Sequence, residues 1–185
     1  MAKNKVLIIG LVGQTGSGKD TFSDYLLKNY KNVFSFRFSQ TLSEVLGIFF
    51  SDIKKADQQW LASCLRERFG NNILGIAIKR KIESIKKGIV VLNGIRDFEE
   101  LEMIKKMGGK IIHIEVDSKT RWQRVRKRGE KKDDNSSYKK FLEMEKAKSE
   151  IFIKKIAKQA DFKIENNGSK RYFYQNIKKI IDKII

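Results

Sequence analysis

The chain has 185 residues, a formal net charge of +18, one cysteine (Cys64), one histidine (His113) and no proline. That length fits one domain with a substantial core, a lone cysteine excludes an internal disulfide and suits a reducing, cytoplasmic setting, and no apolar run approaches the ~20 residues that span a bilayer. The charge invites polynucleotide binding, but the bases are spread over predicted helix faces rather than gathered in one block, and solvated faces around a phosphate-friendly site are the favoured reading.

In chain order, Lys5 to Val12 (KVLIIGLV) is a continuous apolar run ending in glycines, as a buried central parallel strand requires. The glycine loop follows it directly with no small-residue cleavage site, so a signal peptide is rejected. The periodicity predicts a helix over Asp20–Tyr30, a strand over Val33–Phe38, helices over Thr41–Phe50, Ala56–Phe69 and Ile73–Lys86, and a strand over Ile89–Leu92. A helix over Phe98–Met107, a strand over Lys110–Val116 and a helix from Ser118 to about Arg128 come next, then the polar loop GEKKDDNSS. One long helix from Tyr138 to about Gln159, a short strand over Asp161–Glu165 and a helix over Arg171–Ile185 complete the pattern. Strands alternating with helices predict an α/β fold with a parallel five-stranded sheet flanked by helices. In the last helix Phe173, Ile177, Ile180 and Ile181 make an apolar stripe, so it docks on the sheet rather than serving as an aromatic nucleic-acid platform. His113 reads as an occasional polar strand residue and Cys64 as a packing residue.

The chemistry concentrates in GLVGQTGSGKDT. Gly13 to Lys19 is Gly-x-x-x-x-Gly-Lys, placed directly after the first buried strand and opening a helix. Backbone N–H groups of Thr15, Gly16, Ser17, Gly18 and Lys19 can wrap a phosphate there, and the helix dipole favours the anion. Lys19 reaches the β- and γ-phosphates of a nucleotide such as ATP as a point charge. The next position usually carries Ser or Thr to help hold Mg²⁺; here it is Asp20, which can bind the metal or its water, or can oppose the triphosphate's charge. Thr21 supplies a hydroxyl one residue later. Arg121, Arg124 and Arg128 are spaced by three and four and share a helix face.

GSGKDT, VFSFRFSQTLSEVL, LRERFGNNILGIAIKRKI and IVVLNGIRDFEELEMIKKMGGKIIHIEV, taken together in this order, resemble phage-type deoxynucleoside monophosphate kinases. The stretch from KTRWQRVRKRGEKKDD to KQADFKIENNGS is similar to archaeal adenylate-kinase-related P-loop proteins, and dephospho-coenzyme A kinases are a more distant likeness. The resemblance implies a P-loop NTPase fold and ATP- and Mg²⁺-dependent phosphoryl transfer to a small phosphorylated acceptor, a (deoxy)nucleoside monophosphate first and dephospho-coenzyme A or another metabolite second, by a monomer or homodimer. A nucleotide-binding module with little transfer is a third reading. The resemblance makes Asp20 compatible with catalysis, gives Arg96 and Arg66 to the acceptor phosphate, and makes residues 121–137 a short lid whose arginines close over the donor, anchored by Asp133 and Asp134. Asn166 then lies near the adenine. Two positions depart from the family pattern: Asn93 stands where the strand end carries Asp, and Gln40 follows the second strand where an Asp is expected. Both sit on the acceptor side, and neither accepts a proton at neutral pH.

Overall fold

The apolar runs become the strands of one sheet, and their two-sided burial explains why they read as continuous rather than alternating. In the computed structural model, which describes residues 6–129, 135–145 and 148–185, β1 (Val6–Val12) is central and pairs in parallel with β3 (Gly88–Asn93) and β4 (Lys110–Glu115). β2 (Val33–Arg37) lies outside β3, and β5 (Phe162–Glu165) outside β4, giving the order β2-β3-β1-β4-β5 with every pairing parallel. This is the expected α/β architecture.

Successive residues of each strand feed opposite layers. Ile8, Val12, Val90, Leu92 and Ile111 pack beneath helices that include α4 (Ile73–Ile82), α5 (Phe98–Lys106) and α8 (Lys148–Ala157). On the other face Ile9, Leu11, Val91, Ile112 and Ile114 meet α1 (Lys19–Asn29) and α9 (Lys170–Ile184). α2 (Phe38–Gly47) and α3 (Lys55–Phe69) follow β2, α6 (Ser118–Arg128) follows β4, and α7 (Tyr138–Met144) precedes α8. Among the described residues no helix is long and apolar enough to cross a membrane.

Several element boundaries differ from the sequence reading. α2 begins at Phe38, directly after β2, so Ser39 and Gln40 occupy its first turn. α4 stops at Ile82 rather than Lys86. The single helix expected from Tyr138 to Gln159 is two, α7 and α8, and Glu145 at the end of α7 gives its carboxylate to Arg121. That contact joins the end of α7 to α6, whose Arg121 in turn reaches the loop after β1.

Because all strands run the same way, their carboxyl ends share one edge of the sheet, where α/β folds bind ligands. The register sets Leu11 beside Asn93 and Asn93 beside Arg37. The last residues of β2 and β3 are thereby brought next to the loop that leaves β1.

α9 docks through Phe173, Ile177 and Ile181, all essentially buried, while Tyr172 is 53% exposed. Ile177→Ala is expected to destabilise the protein by about 2–5 kcal/mol, and Tyr172→Ala by no more than about 0.5 kcal/mol. Urea unfolding of the two variants checks this; equal losses would remove the assignment of α9 as a core helix.

Candidate functional site

The loop between β1 and α1 is shaped by close backbone approach. Gly16 and Gly18 have φ of +80° and +100°, the left-handed region that favours glycine. A Cβ on Gly16 would lie 2.9 Å from the Arg121 carbonyl oxygen, and one on Gly18 would lie 2.5 Å from Asn166 Nδ2. A Cβ on Gly13 would meet the Ile114 carbonyl oxygen at 2.7 Å. Polar contacts hold the loop from the same side: Asn166 Nδ2 donates to the Ser17 carbonyl at 2.9 Å, and Arg121 Nη1 to the Thr15 carbonyl at 3.5 Å. Lys19 Nζ donates to the carbonyls of Gly13 and Gln14 at 2.7 and 3.1 Å, and Thr21 is half-buried behind it. Ser17 Oγ is buried and, among the described residues, has no hydrogen-bond partner. A glycine cradle closed to any Cβ, an ammonium at its mouth, a helix N-terminus and an orphan hydroxyl fit a phosphate group.

Asp20 faces the carboxyl ends of β2 and β3. Its Oδ1 accepts from Asn93 Nδ2 and from Arg37 Nη2, each at 2.7 Å. Asn93 is 4% exposed, so its amide orients the carboxylate from beneath. A carboxylate at position 93 would face Asp20 at hydrogen-bond distance with no proton between them, so the amide suits this partner. Among the described residues no group of three or more His, Cys, Asp or Glu could cage a metal. Mg²⁺ needs none, being held through one or two carboxylates plus substrate phosphates, and Asp20 fits that role.

A second cluster lies at the start of α5. Asp97 caps the helix by accepting from the Glu100 N–H at 2.8 Å, and Arg66 Nη2 donates to its other oxygen at 2.8 Å. Glu100, 3% exposed, accepts from the Arg96 N–H at 2.8 Å and stands 3.7 Å from Arg66. Burial, reinforced by the Asp97 charge, pushes the Glu100 carboxyl up to about 8, and burial also raises Asp97. Both expected acceptor arginines are therefore held through one buried acid. The Arg96 side chain is exposed at this edge, and Gln40 is exposed in the first turn of α2.

α6 separates the arginines that its spacing had grouped. Arg121 is 3% exposed; its Nε donates to the Val116 carbonyl at 3.1 Å and its guanidinium pairs with Glu145. It braces the loop from behind rather than standing on an open face, because its backbone already packs against Gly16. Arg124 Nη2 donates to the Asn166 carbonyl at 2.8 Å, its buried Nη1 has no partner among the described residues, and burial lowers its pKa. Arg128 is exposed at the end of the helix. Asn166, 5% exposed, is engaged through both side chain and carbonyl. Asp133 and Asp134 lie outside the described residues, as does part of the segment expected to form a lid.

The loop after β1, α1 and the residues that brace them all fall within residues 9–168, over which the chain matches the family described as an AAA domain. The chain belongs to that AAA-domain family. It is related to the UPF0200 protein of Sulfurisphaera tokodaii, at 28% identity over 97% of this chain and 98% of the relative. The UPF0200 protein of Pyrococcus abyssi is 31% identical over 65% of this chain and 67% of its own. Among solved structures, shikimate kinase from Bacteroides thetaiotaomicron superposes with a TM-score of 0.65 at 14% identity, covering 95% of this chain and 98% of that one. Shikimate kinase from Aquifex aeolicus gives 0.59 at 15% identity, covering 95% and 96%. At such identities the likeness is one of fold. The architecture of this AAA-domain protein is that of the P-loop NTPase and kinase fold.

Three site residues escaped the sequence reading: Arg37, Glu100 and Glu145. Arg37 left a signal, a charge closing an alternating strand at the ligand-binding edge. Glu100 left a weaker one, on the helix face of Leu101 and Ile104.

A carboxyl raised in the folded state keeps a proton that the unfolded chain releases. Its contribution to stability is full below pH 4.5 and is lost as pH rises through about 8. Glu100→Gln resembles the protonated form, so its urea midpoint is expected to fall less than that of the wild type between pH 5 and 8. Parallel slopes for the two proteins would show Glu100 to be ionised throughout.

Proposed function

We propose that the protein is an ATP- and Mg²⁺-dependent phosphotransferase whose acceptor is a small anionic metabolite bound at the carboxyl ends of β2 and β3. The observation that carries this reading is the hydrogen bond from Asn93 to Asp20. It ties the residue after the loop lysine to the strand end that leads into Arg96, so donor-side and acceptor-side groups adjoin.

In this reading Lys19 and the N–H groups of Thr15 to Lys19 bind the donor phosphates, with Ser17 and Thr21 hydroxyls beside them. Asp20 is the metal ligand, directly or through water. Bound Mg²⁺ would supply neutralisation of the charge on the transferring group. Arg96 and Arg66 bind the acceptor's anionic group, with Asn93 and Gln40 as amides on that side. Arg124 and Arg128 face the donor and stabilise transfer, Arg121 holds the loop in position, and the chain at Asn166 borders the nucleotide base. Phosphoryl transfer depends chiefly on positioning and electrostatic stabilisation. Amides at 93 and 40 in place of carboxylates are therefore compatible with turnover.

The acceptor is set at the level of a small anion for two reasons. A guanidinium recognises phosphate and carboxylate alike, and the similar solved structures include kinases named for shikimate. Nucleoside monophosphates and dephospho-coenzyme A are members of this class to test first.

ADP release is measured with ATP, Mg²⁺ and a panel of nucleoside monophosphates, dephospho-coenzyme A and hydroxy acids. Turnover on one acceptor class is expected. Losing Arg96 removes a charge-assisted contact, so Arg96→Ala should raise that acceptor's KM by about 10- to 100-fold with little change for ATP. ATP binding without turnover on any acceptor would instead establish a nucleotide-binding module. An unchanged acceptor KM would remove Arg96 from the acceptor site.

A further inference from the structure

The unusual acid of the loop has a partner that the phosphate chemistry does not require. Asp20 lies in the first turn of α1, one residue after Lys19, where the positive end of the helix dipole favours a carboxylate. The same carboxylate opposes any phosphate bound in the loop. Arg37, the last residue of β2, reaches across the end of β3 to donate to Asp20 Oδ1 at 2.7 Å. Asn93, which lies between them in the sheet register, donates to the same oxygen. The Arg37 and Asp20 side chains are each 56% exposed. A pair so exposed contributes little to folding, and its partners are free to rearrange when a ligand arrives.

We propose that Arg37 is an internal counter-cation for Asp20, a positioning residue that lets the loop accept nucleotide phosphates before a metal is bound and that competes with the divalent cation for the same carboxylate. The proposal rests on the reading of the loop as a nucleotide phosphate site. With Arg37 in place, the field at the loop is that of Lys19 with a neutralised neighbour. Without it, Asp20 presents a bare negative charge to the incoming phosphates while becoming a better metal ligand. The two consequences have opposite sign, which a merely structural ion pair would not produce.

The test is calorimetric binding of ADP to the wild type, Arg37→Met, Asp20→Asn and the double variant, in EDTA and across a Mg²⁺ titration. Thermal melts verify that each variant is folded, and Arg37, exposed on an edge strand, is a tolerant site for substitution. Arg37→Met is expected to weaken metal-free ADP binding by about 2- to 5-fold and to lower the Mg²⁺ concentration needed for half-maximal enhancement by a similar factor, the scale set by a single exposed charge pair. The double variant should match Asp20→Asn, because Arg37 acts only through the carboxylate. Wild-type behaviour of Arg37→Met in both conditions overturns the proposal and leaves the phosphotransferase reading standing. A wild type that binds no ADP in either condition overturns the reading of the loop, and the proposal with it.

Discussion

The loop after β1 folds as it does because two other pieces of backbone and one side-chain amide come within a side chain's width of it. The carbonyl ends of Ile114 and Arg121 and the amide of Asn166 occupy the space where Cβ atoms would stand on Gly13, Gly16 and Gly18. Glycine at these positions is thus a packing requirement of this fold before it is a binding device. The packing in turn fixes which way the loop's N–H groups face. Arg121 and Asn166 add hydrogen bonds to the loop's outward carbonyls, so the peptide units are held from behind by groups that a ligand need not touch. This is how a polar recess stays open without collapsing onto its own donors.

The same logic explains the pairing of Asp20 with Asn93. One carboxylate and one amide share a hydrogen bond of 2.7 Å across the gap between α1 and β3. Two carboxylates there would repel, and two amides would leave the site without a charge for a cation. The Asp that the resembled kinases carry at the strand end is missing here, as is the Ser or Thr that phosphate loops usually carry after the lysine. An acid in the loop and an amide at the strand end restore one carboxylate to the same gap. Asp20 and Asn93 are therefore one structural fact, while Gln40, the other departure from the family pattern, stands exposed on α2.

Much of this was legible in the residues and some was not. Strand identity, sheet class and the position of the loop follow from local pattern, since buried parallel strands and a glycine turn are written in consecutive positions. The docking of α9 follows from the spacing of Phe173, Ile177 and Ile181. What escaped depends on which residues meet across the chain. Helical spacing puts Arg121, Arg124 and Arg128 on one face, but the depth to which Arg121 is buried is decided by Glu145 on a different helix. A predicted helix running through Glu145 hid that partner. Arg37 and Asp20 are seventeen residues apart, and only the parallel register of β2 on β3 makes them neighbours. Glu100 looked like one more solvated glutamate among Glu99 and Glu102 until the fold buried it under Arg66 and the Arg96 N–H.

These pairings bear on the chain's excess of base. With a net charge of +18, cations are plentiful, and their mere number gives a phosphate site no geometry. Orientation comes from the scarcer acids. Asp20 holds Arg37, Asp97 and Glu100 hold Arg66, and Glu145 holds Arg121. Each of these acids is on a different element from the arginine it fixes, so each pair also ties two parts of the sheet's ligand edge together. Arg121 so held braces the loop from behind, and in the proposed reading Arg66 meets the acceptor's anionic group without first having to be ordered. The acids at this edge thus decide where the arginines stand, which their number alone would not.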